Sequence, residues 1–423
     1  MARSAPLLAP PPSPPRVSIG LPVFNGANYL QQAIDSILNQ SFTDFELVIA
    51  DNASTDATPR IIKEAASRDS RVKPIFGTEN IGAAPNYTRV FENSFGEYFK
   101  WASHDDVCSP HLLEKTVAAL DSNPKLTVAA ARTDTIDQDG KFLFAYEPLA
   151  GFTSDDPAVR LETVFKLSGD IYYVWGLMRR HMLEETGLLG SFIGHDRALL
   201  ANLAMVGPFW CSKDILFHMR EHEDRSIHRH SWRDPEQSMN WYDPSAKQAG
   251  KQPTLRLFRE YVASLTRAKL SPSDSIRCAL VMKDWCKTQA PSLRNELSDV
   301  LSSKAFPASL LAPLIAPSKY RLERLMPPGS KIILIDDEKA ELLMLRGRSF
   351  LPFLERDGRY YGPPPDEATA ITELERMRSE GAEFVLLAWT SFWWQDIYPD
   401  LFSYMKVNCA EIYKDKNFRA FKL

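Results

Sequence analysis

Short apolar runs and helical repeats alternate through the first half of the chain. Between the runs, apolar residues recur every three or four positions, as at Leu30, Ile34 and Ile37, which is typical of one buried helix face. Ser109 is predicted to cap a further helix over 110–121. The continuous runs are typical of buried strands and lie at 17–24, 45–50, 72–76, 97–102 and 126–131. Single helices between consecutive strands predict a parallel sheet, because a crossover of that length returns the chain to the same edge.

The pattern changes after residue 157 and restarts near residue 331. The pattern over residues 157–206 predicts helices around one aromatic strand at 172–180. The pattern over residues 250–325 predicts helices that are interrupted by prolines. A strand-helix-strand alternation then returns and ends in a hairpin over 411–423. We therefore expect a proline-rich leader over 1–16, an α/β domain over 17–235, a helical linker region over 236–328 and a small α/β module over 329–423.

The overall composition is that of an ordinary soluble protein. Of 423 residues, 44% are hydrophobic and 25% are charged, and 50 Lys and Arg stand against 54 Asp and Glu. A chain this close to neutral gives no electrostatic reason for a nucleic-acid partner, and we expect none. Any anionic ligand must therefore be held by local geometry.

Neither the N-terminal segment nor the cysteines suggest secretion. No apolar stretch reaches the roughly 20 residues that span a bilayer, and MARSAPLLAPPPSPPR lacks the apolar core of a signal peptide. The five cysteines are scattered and form no CxxC pair, which predicts neither a disulfide framework nor a zinc ribbon. We expect a cytoplasmic protein, with peripheral association at the inner face of the cell membrane left open.

Polar residues cluster where the predicted strands end. Asn25 follows the first strand, Asp51 the second, and His104-Asp105-Asp106 the fourth. Ligands of open parallel sheets bind beyond the carboxyl ends of the strands, and adjacent carboxylates can hold Mg²⁺ or Mn²⁺ beside a diphosphate. The structural alternatives are that the Asp pair caps the next helix and that Asp51 belongs to an ordinary strand-to-helix turn.

Four ordered segments resemble the nucleotide-binding half of the family 2 glycosyltransferases, which have the GT-A fold. These segments are VSIGLPVFNGANYLQQAIDSILNQSF, ELVIADNASTDAT, ENIGAAPNYTRV and GEYFKWASHDDVCSPHLLEK. The resemblance extends over about residues 17–230. It implies a Rossmann-like mixed α/β sheet of the GT-A type and a nucleoside-diphosphate sugar as donor, with a UDP-sugar expected.

The resemblance also implies roles for individual residues. Asp105 and Asp106 are the implied ligands of a divalent metal, Mg or Mn. Many members carry another Asp two positions before this pair, where the present chain has Ser103, and this leaves open which carboxylate is the main ligand. The implied donor-binding residues are Pro22, Phe24, Asn25, Asp51, Asn80, Asp105, Arg220 and His222.

The segments YYVWGLMRRHMLEETG and GHDRALLANLAMVG resemble the acceptor-side half of the same family. An Asp that opens the helix there is the usual catalytic base, which implies this role for Asp196. The structural alternative is that Asp196 only caps the helix.

Histidines and aromatic residues give two weaker signals. His218, His222, His228 and His230 fall in one short stretch, but their spacing fits no closed zinc site, and we interpret the stretch as a solvated acceptor loop. The aromatic run over 392–394 could stack on sugars, although core packing is the commoner use of such a run.

The expected reaction is a single displacement with inversion at the anomeric carbon, in glycan or surface polysaccharide biosynthesis. The acceptor would be a saccharide or a lipid-linked glycan. A metal-dependent nucleotidyltransferase acting on sugar phosphates is one alternative, but it usually needs a glycine-rich basic loop, and PVFNGANYL has one glycine and no Lys or Arg. A non-catalytic nucleotide-sugar-binding protein is the other, and the carboxylates at all three expected positions argue against it.

Overall fold

The chain divides into two compact units, Met1–Leu293 and Arg294–Leu423. The computed structural model describes residues 8, 11–167, 171–225, 235–245, 252–302, 308–336, 345–356, 359–360, 363–388, 391–392, 394–415 and 417–423. Tyr261, Cys278 and Met282 are buried in the core of the first unit, so the helices that carry them belong to it. The division therefore differs from the boundary predicted at residue 328.

The first unit combines strands and helices in the alternation that the hydrophobic pattern predicts. Its strands are β1 (Val17–Val23), β2 (Phe45–Asp51), β3 (Val72–Phe76), β4 (Tyr98–Trp101), β5 (Val107–Cys108), β6 (Val128–Ile136), β7 (Phe142–Ala145), β8 (Leu177–Arg179) and β9 (Phe209–Arg220). Its helices are α1 (Leu30–Leu38), α2 (Thr58–Arg68), α3 (Ala83–Glu92), α4 (Leu112–Ser122), α5 (Pro157–Phe165), α6 (Arg180–Glu184), α7 (His195–Val206), α8 (Pro235–Tyr242), α9 (Pro253–Arg267) and α10 (Pro272–Thr288). Helix α11 (Ala290–Ser302) spans the division.

The described strands of the first unit form one mixed sheet in the order β3-β2-β1-β4-β8-β6-β9-β5, with β7 paired to β6. Strand β1 is parallel to β2 and β4, and β2 is parallel to β3, which confirms the prediction for the first four strands. Strand β8 is antiparallel to β4 and β6, so the sheet is mixed. The α/β fold class with a mixed sheet is confirmed.

Three local predictions for the first unit are wrong. The segment predicted as one aromatic strand is a 3₁₀ turn over Tyr172–Trp175 followed by the short strand β8. Helix α4 begins at Leu112 with His111 as its N-cap, and Ser109 contacts His218 instead. In the stretch expected to be a solvated acceptor loop, His218 and Arg220 instead lie in the last part of the twelve-residue strand β9, whereas residues 221–225 follow that strand.

The second unit has its own five-stranded sheet, which is built from β10 (Lys331–Ile335), β11 (Ser349–Pro352), β14 (Phe384–Ala388), β15 (Ala410–Lys414) and β16 (Phe418–Lys422). The strands lie in the order β11-β10-β14-β16-β15. The predicted terminal hairpin is confirmed, since β15 and β16 pair antiparallel. Trp394 is fully buried against Phe353 and Tyr398, which favours core packing over sugar stacking, while Trp393 lies outside the described residues. The other elements are α12 (Ala308–Leu325), β12 (Glu355–Arg356), β13 (Arg359–Tyr360), α13 (Glu367–Ser379), α14 (Trp394–Ile397) and α15 (Pro399–Asn408). Among the helices of the described residues, none combines the length and the apolar character needed to cross a bilayer.

Candidate functional site

A cavity of about 860 Å³ lies at the carboxyl ends of β1, β2 and β4. This is the edge of a parallel sheet where ligands bind in open α/β folds. Most of its wall comes from segments that follow a strand, and a smaller part comes from residues 222–244. The lining residues are Pro22, Val23, Phe24, Asn25, Gly26, Asn28, Tyr29, Asn52, Asp56, Asn80, Ala83, Asn86, Tyr87, Ser103, His104, Asp105, His222, Asp224, Asn240, Trp241 and Pro244.

The loop after β1 is held by the loop after β2. Asn25 has a positive φ of 50°, a conformation that asparagine tolerates better than most residues. Its backbone N–H donates to the Ser54 hydroxyl at 2.8 Å, and its side-chain oxygen accepts from the Thr55 N–H at 2.8 Å. These bonds leave Phe24, which is 44% exposed, at the cavity wall.

Gly26 lies in close contact with His104. A Cβ at this position would lie 2.4 Å from His104 Cδ2 and 2.7 Å from Val23 Cγ2, so a side chain there would displace the cavity wall.

Gly26→Ala is expected to lower the free energy of unfolding by about 1–3 kcal/mol, the usual cost of overpacking, and to weaken nucleotide binding. Chemical denaturation and calorimetric titration would measure the two effects. Gly187→Ala is the matched control, because its Cβ would meet only the Glu260 carboxylate at 3.8 Å. Equal behaviour of the two variants would contradict the close packing at Gly26.

Three asparagines join β2 and the residue after it to α3 and the segment before that helix. Asn52 donates to the side-chain oxygen of Asn80 at 2.8 Å and to the Gly82 carbonyl at 3.1 Å. Buried Asn86 donates to the Ala50 carbonyl at 2.9 Å. The sequence analysis identified Asn80 but missed Asn52, which directly follows β2, and Asn86, which lies in the first turn of α3.

Asp51 does not line the cavity. Its carboxylate is buried and accepts the Ser54 N–H at 3.2 Å, and its backbone carbonyl accepts the Gly77 N–H at 2.8 Å. Asp56, five residues later, lines the cavity and accepts the backbone N–H groups of Ala27 and Thr58 at 3.1 and 2.9 Å. The geometry gives Asp51 the role of a turn residue, and its predicted contact with the nucleotide stays a prediction.

Asp105 presents a buried carboxylate to the cavity. His222 Nε2 lies 3.0 Å from its Oδ2, and the Ser103 hydroxyl donates to its Oδ1. Burial alone would raise the pKa of Asp105, but His104 and the hydrogen bonds from His222 and Ser103 lower it well below its usual range. Asp105 is therefore ionised at neutral pH.

Asp106 lies behind the cavity wall and does not line it. Its Oδ1 accepts the backbone N–H of Arg220 at 2.9 Å. Burial and the charge of Asp105 raise the pKa of Asp106 well above its usual value, although Arg220, Arg225 and Lys100 oppose this shift. The two predicted metal ligands are therefore not equivalent.

Arg220 is buried on β9 and braces the turn that carries the Asp pair. Its guanidinium donates to the carbonyls of Asp105, Asp137 and Gln138 at 2.9–3.2 Å and to the Gln32 side chain at 2.8 Å. All three guanidinium nitrogens are thus engaged within the protein. This assigns Arg220 a positioning role, and its predicted contact with a diphosphate stays a prediction.

His218 joins three strands next to this turn. Its Nδ1 lies 2.6 Å from Asp134 Oδ1 and its Nε2 lies 3.0 Å from the Ser109 hydroxyl. None of the three residues lines the cavity, so the network ties β5, β6 and β9 together. His228 and His230 lie outside the described residues, and among those described no three His, Cys, Asp or Glu are arranged to hold a metal.

Asp196 is the second residue of α7, and the N-cap of that helix is Gly194. The alternative that Asp196 is the N-cap is therefore wrong. Its Oδ1 accepts the N–H of Arg197 at 2.7 Å, and Asp196 itself does not line the cavity.

Burial raises the pKa of cavity-lining Tyr87, and the charges of Asp105, Asp106 and Asp196 raise it further. Tyr87 is thus a neutral hydroxyl within electrostatic reach of both predicted carboxylate sites.

The cavity suits a divalent cation that is bound together with a phosphate ligand. Mg²⁺ commonly takes one or two carboxylates from the protein and its other ligands from substrate phosphates and water. Ionised Asp105 supplies one such oxygen, and His222 lies beside it. Asp106, which faces the Arg220 N–H, does not share this wall.

Comparison with known proteins finds a family model that matches part of the first unit. Residues 18–187 match the family model described as glycosyl transferase family 2. An uncharacterized glycosyltransferase of Rickettsia bellii is 29% identical over 232 residues, which are 54% of this chain and 33% of that protein. An uncharacterized protein of Mycobacterium tuberculosis is 38% identical over 131 residues, which are 30% of this chain and 38% of that protein. The chain thus spans about a third of the length of these relatives.

Two solved structures are similar at low identity. Residues 1–349 of S. aureus TarS, in complex with UDP-GlcNAc, match with 16% identity and a TM-score of 0.47, covering 72% of this chain and 88% of that one. The mannosyltransferase PcManGT of Pyrobaculum calidifontis, in complex with GDP-Man and Mn²⁺, matches with 18% identity and a TM-score of 0.43, covering 77% and 86%.

Proposed function

We propose that this chain, whose residues 18–187 match the model of glycosyl transferase family 2, transfers a sugar from a nucleoside-diphosphate sugar to an acceptor hydroxyl. The observation that carries the proposal is the buried carboxylate of Asp105, with His222 beside it, in the wall of the cavity at the carboxyl ends of β1, β2 and β4. Acceptors of the kind we expect are saccharides or lipid-linked glycans.

The charge of the cavity wall supports a donor that arrives with a cation. No Lys or Arg occurs among its described lining residues, which include Asp56, Asp105 and Asp224. A bare diphosphate would be repelled by these carboxylates, since like charges at close range are unfavourable in a partly desolvated site. The same carboxylates attract a diphosphate whose charge is neutralised by Mg²⁺ or Mn²⁺.

In this proposal the wall divides into a nucleotide part and a metal part. Pro22, Phe24, Asn25 and Asn80 offer an apolar face and amide groups for the base and ribose. Asp105, with His222 beside it, would hold the metal, and Asp106 and Arg220 keep the Asp105 turn in place. A bound metal would supply Lewis-acid stabilisation of the departing diphosphate.

Asp196 is proposed as the base that takes the proton from the acceptor hydroxyl. A single base and no nucleophilic intermediate imply inversion at the anomeric carbon. Tyr87 lines the cavity, and its raised pKa keeps its hydroxyl as a hydrogen-bond donor for the substrate. The family match argues against the nucleotidyltransferase alternative, as does the loop after β1, which has one glycine and no basic residue.

The proposal predicts that UDP, GDP or dTDP raises the thermal unfolding temperature more in the presence of Mn²⁺ than without it. At a ligand concentration of 100 times Kd the stabilisation would be about 2.7 kcal/mol. UDP is expected to give the largest shift in a differential scanning measurement. A shift only with nucleoside triphosphates would support the nucleotidyltransferase, and binding without turnover of any donor sugar would support the non-catalytic protein.

A further inference from the structure

The hairpin of β6 and β7 carries an apolar edge strand that is exposed on both faces. Phe142, Leu143 and Phe144 are 56%, 46% and 50% exposed. Consecutive side chains of a strand point to opposite faces, so neither face of β7 is covered by a packed layer. Among the described strands, β7 pairs with β6 alone. Exposed apolar edges of this kind are sites of strand-to-strand association, which proteins usually block with charges or prolines.

The segment available for pairing is bounded on both sides. On one side, the turn over 137–140 closes with the Gly140 N–H on the Asp137 carbonyl, and Asp137 also accepts the Lys141 N–H. On the other side stands Pro148, which has no N–H to donate to a neighbouring strand. Residues 141–147, KFLFAYE, remain between these limits.

This segment is complementary to itself in one antiparallel register. If two copies pair about a two-fold axis through Phe144, Lys141 lies opposite Glu147 and Phe142 lies opposite Tyr146. Opposite charges and aromatic pairs directly across two strands are stabilising. A shift by one residue places Lys141 opposite Tyr146 or Pro148 and removes both ion pairs, so the charges select a single register.

The side chains at this edge are available for such a contact. Glu147 is 77% exposed although it pairs with Arg132 of its own chain, and Lys141 is exposed. The ring of Phe144 packs edge-on against Tyr146 with centroids 5.2 Å apart, which gives β7 an ordered aromatic row. The shift in the β6–β7 register lies toward Phe142, so Phe144 and Ala145 keep regular pairing at the axis.

We propose that β7 pairs with β7 of a second copy of this chain, antiparallel and centred on Phe144, to form a two-fold symmetric dimer. The pairing joins the sheets of two first units into one continuous sheet. A two-fold contact uses the same patch on both subunits, which is what a self-complementary segment provides. This inference is independent of the proposed sugar transfer.

Sedimentation velocity over a range of concentrations tests the dimer. The wild-type chain is expected to show a monomer–dimer equilibrium, and Phe144→Asp, which sets two carboxylates against each other at the axis, should weaken dimerisation at least tenfold. Val407→Asp is the control, because Val407 is an apolar residue 84% exposed in the second unit. The proposal is overturned if the wild-type chain stays monomeric, or if the Phe144→Asp variant dimerises as well as the wild-type chain does.

Charge exchange tests the register with two exposed residues whose replacement does not disturb the core. Lys141→Glu and Glu147→Lys should each weaken the homodimer, whereas an equimolar mixture of the two variants should form heterodimers. The double variant Lys141→Glu/Glu147→Lys should restore the homodimer. Failure of both the mixture and the double variant to recover association overturns the register. Cosedimentation of a monomeric wild-type chain with phosphatidylglycerol vesicles would assign the apolar edge to a lipid surface and would likewise overturn the dimer.

Discussion

Asp105→Asn is expected to reduce sugar transfer more than 100-fold and to abolish the Mn²⁺ dependence of nucleoside-diphosphate binding. The amide keeps the size of the side chain and an oxygen that can accept from Ser103, but it removes the negative charge. Metal stabilisation of a leaving group contributes several kcal/mol, and each 1.36 kcal/mol corresponds to tenfold in rate. Donor turnover and calorimetric titration of UDP with and without Mn²⁺ would measure the two effects.

The control for this variant is Asp214→Asn. Asp214 is an exposed carboxylate paired with Lys115 on the surface, and its replacement should change neither quantity. Asp106→Asn separates the two members of the Asp pair, because its amide oxygen can still accept the Arg220 N–H. We expect a smaller loss for Asp106→Asn than for Asp105→Asn. If Asp105→Asn retained Mn²⁺-dependent binding, the assignment of the metal to Asp105 would be wrong.

Asp196→Asn is expected to bind the donor nucleotide normally and to transfer sugar about 10²–10⁴-fold more slowly, the range that a positioned general base contributes. The amide can still accept the Arg197 N–H, which the carboxylate accepts at 2.7 Å. Loss of a negative charge in the first turn of a helix costs only about 0.3–1 kcal/mol of stability. The effect on transfer should therefore far exceed the effect on folding.

Glu114→Gln is the matched control for Asp196→Asn. Glu114 is an acidic residue in the first turn of α4, and its side chain is 58% exposed. The two variants should lose similar stability, and only Asp196→Asn should lose transfer to an acceptor found by screening saccharides and lipid-linked glycans. Donor hydrolysis is a weaker readout, because water can react without a base. Transfer by Asp196→Asn at the wild-type rate would show that the base lies elsewhere.

The sequence predicted the parallel half of the sheet and the edge at which the cavity lies. Continuous apolar runs and helical repeats report burial directly, so β1 to β4 and the helices between them could be placed from periodicity alone. The order of these elements brings Pro22, Phe24, Asn25, Asn80 and Asp105 to one edge. Their presence in the cavity wall follows from topology, because parallel strands end on the same side.

The tertiary structure decided which polar side chains face the cavity. Asp51 and Asp56 belong to the same turn-forming run, and only the backbone geometry turns Asp56 toward the cavity and Asp51 toward Ser54. The sequence also contains no sign that Arg220 donates to carbonyls of residues more than 80 positions away. Such bonds depend on the pairing of β6 with β9. The buried positions of β9 follow no clear period of two, so its sequence does not mark it as a strand.

Periodicity by itself determined the apolar runs that become β1 to β4 and the apolar faces of the helices between them, because these patterns lie within each element. The partners of Asp105, Asp106 and His218, and the exposure of β7, depend on strands brought together from distant parts of the sequence. The chain therefore encodes the position of the site locally, whereas the contacts of Asp105 with His222 and of Asp106 with Arg220 arise only when β5, β6 and β9 pair.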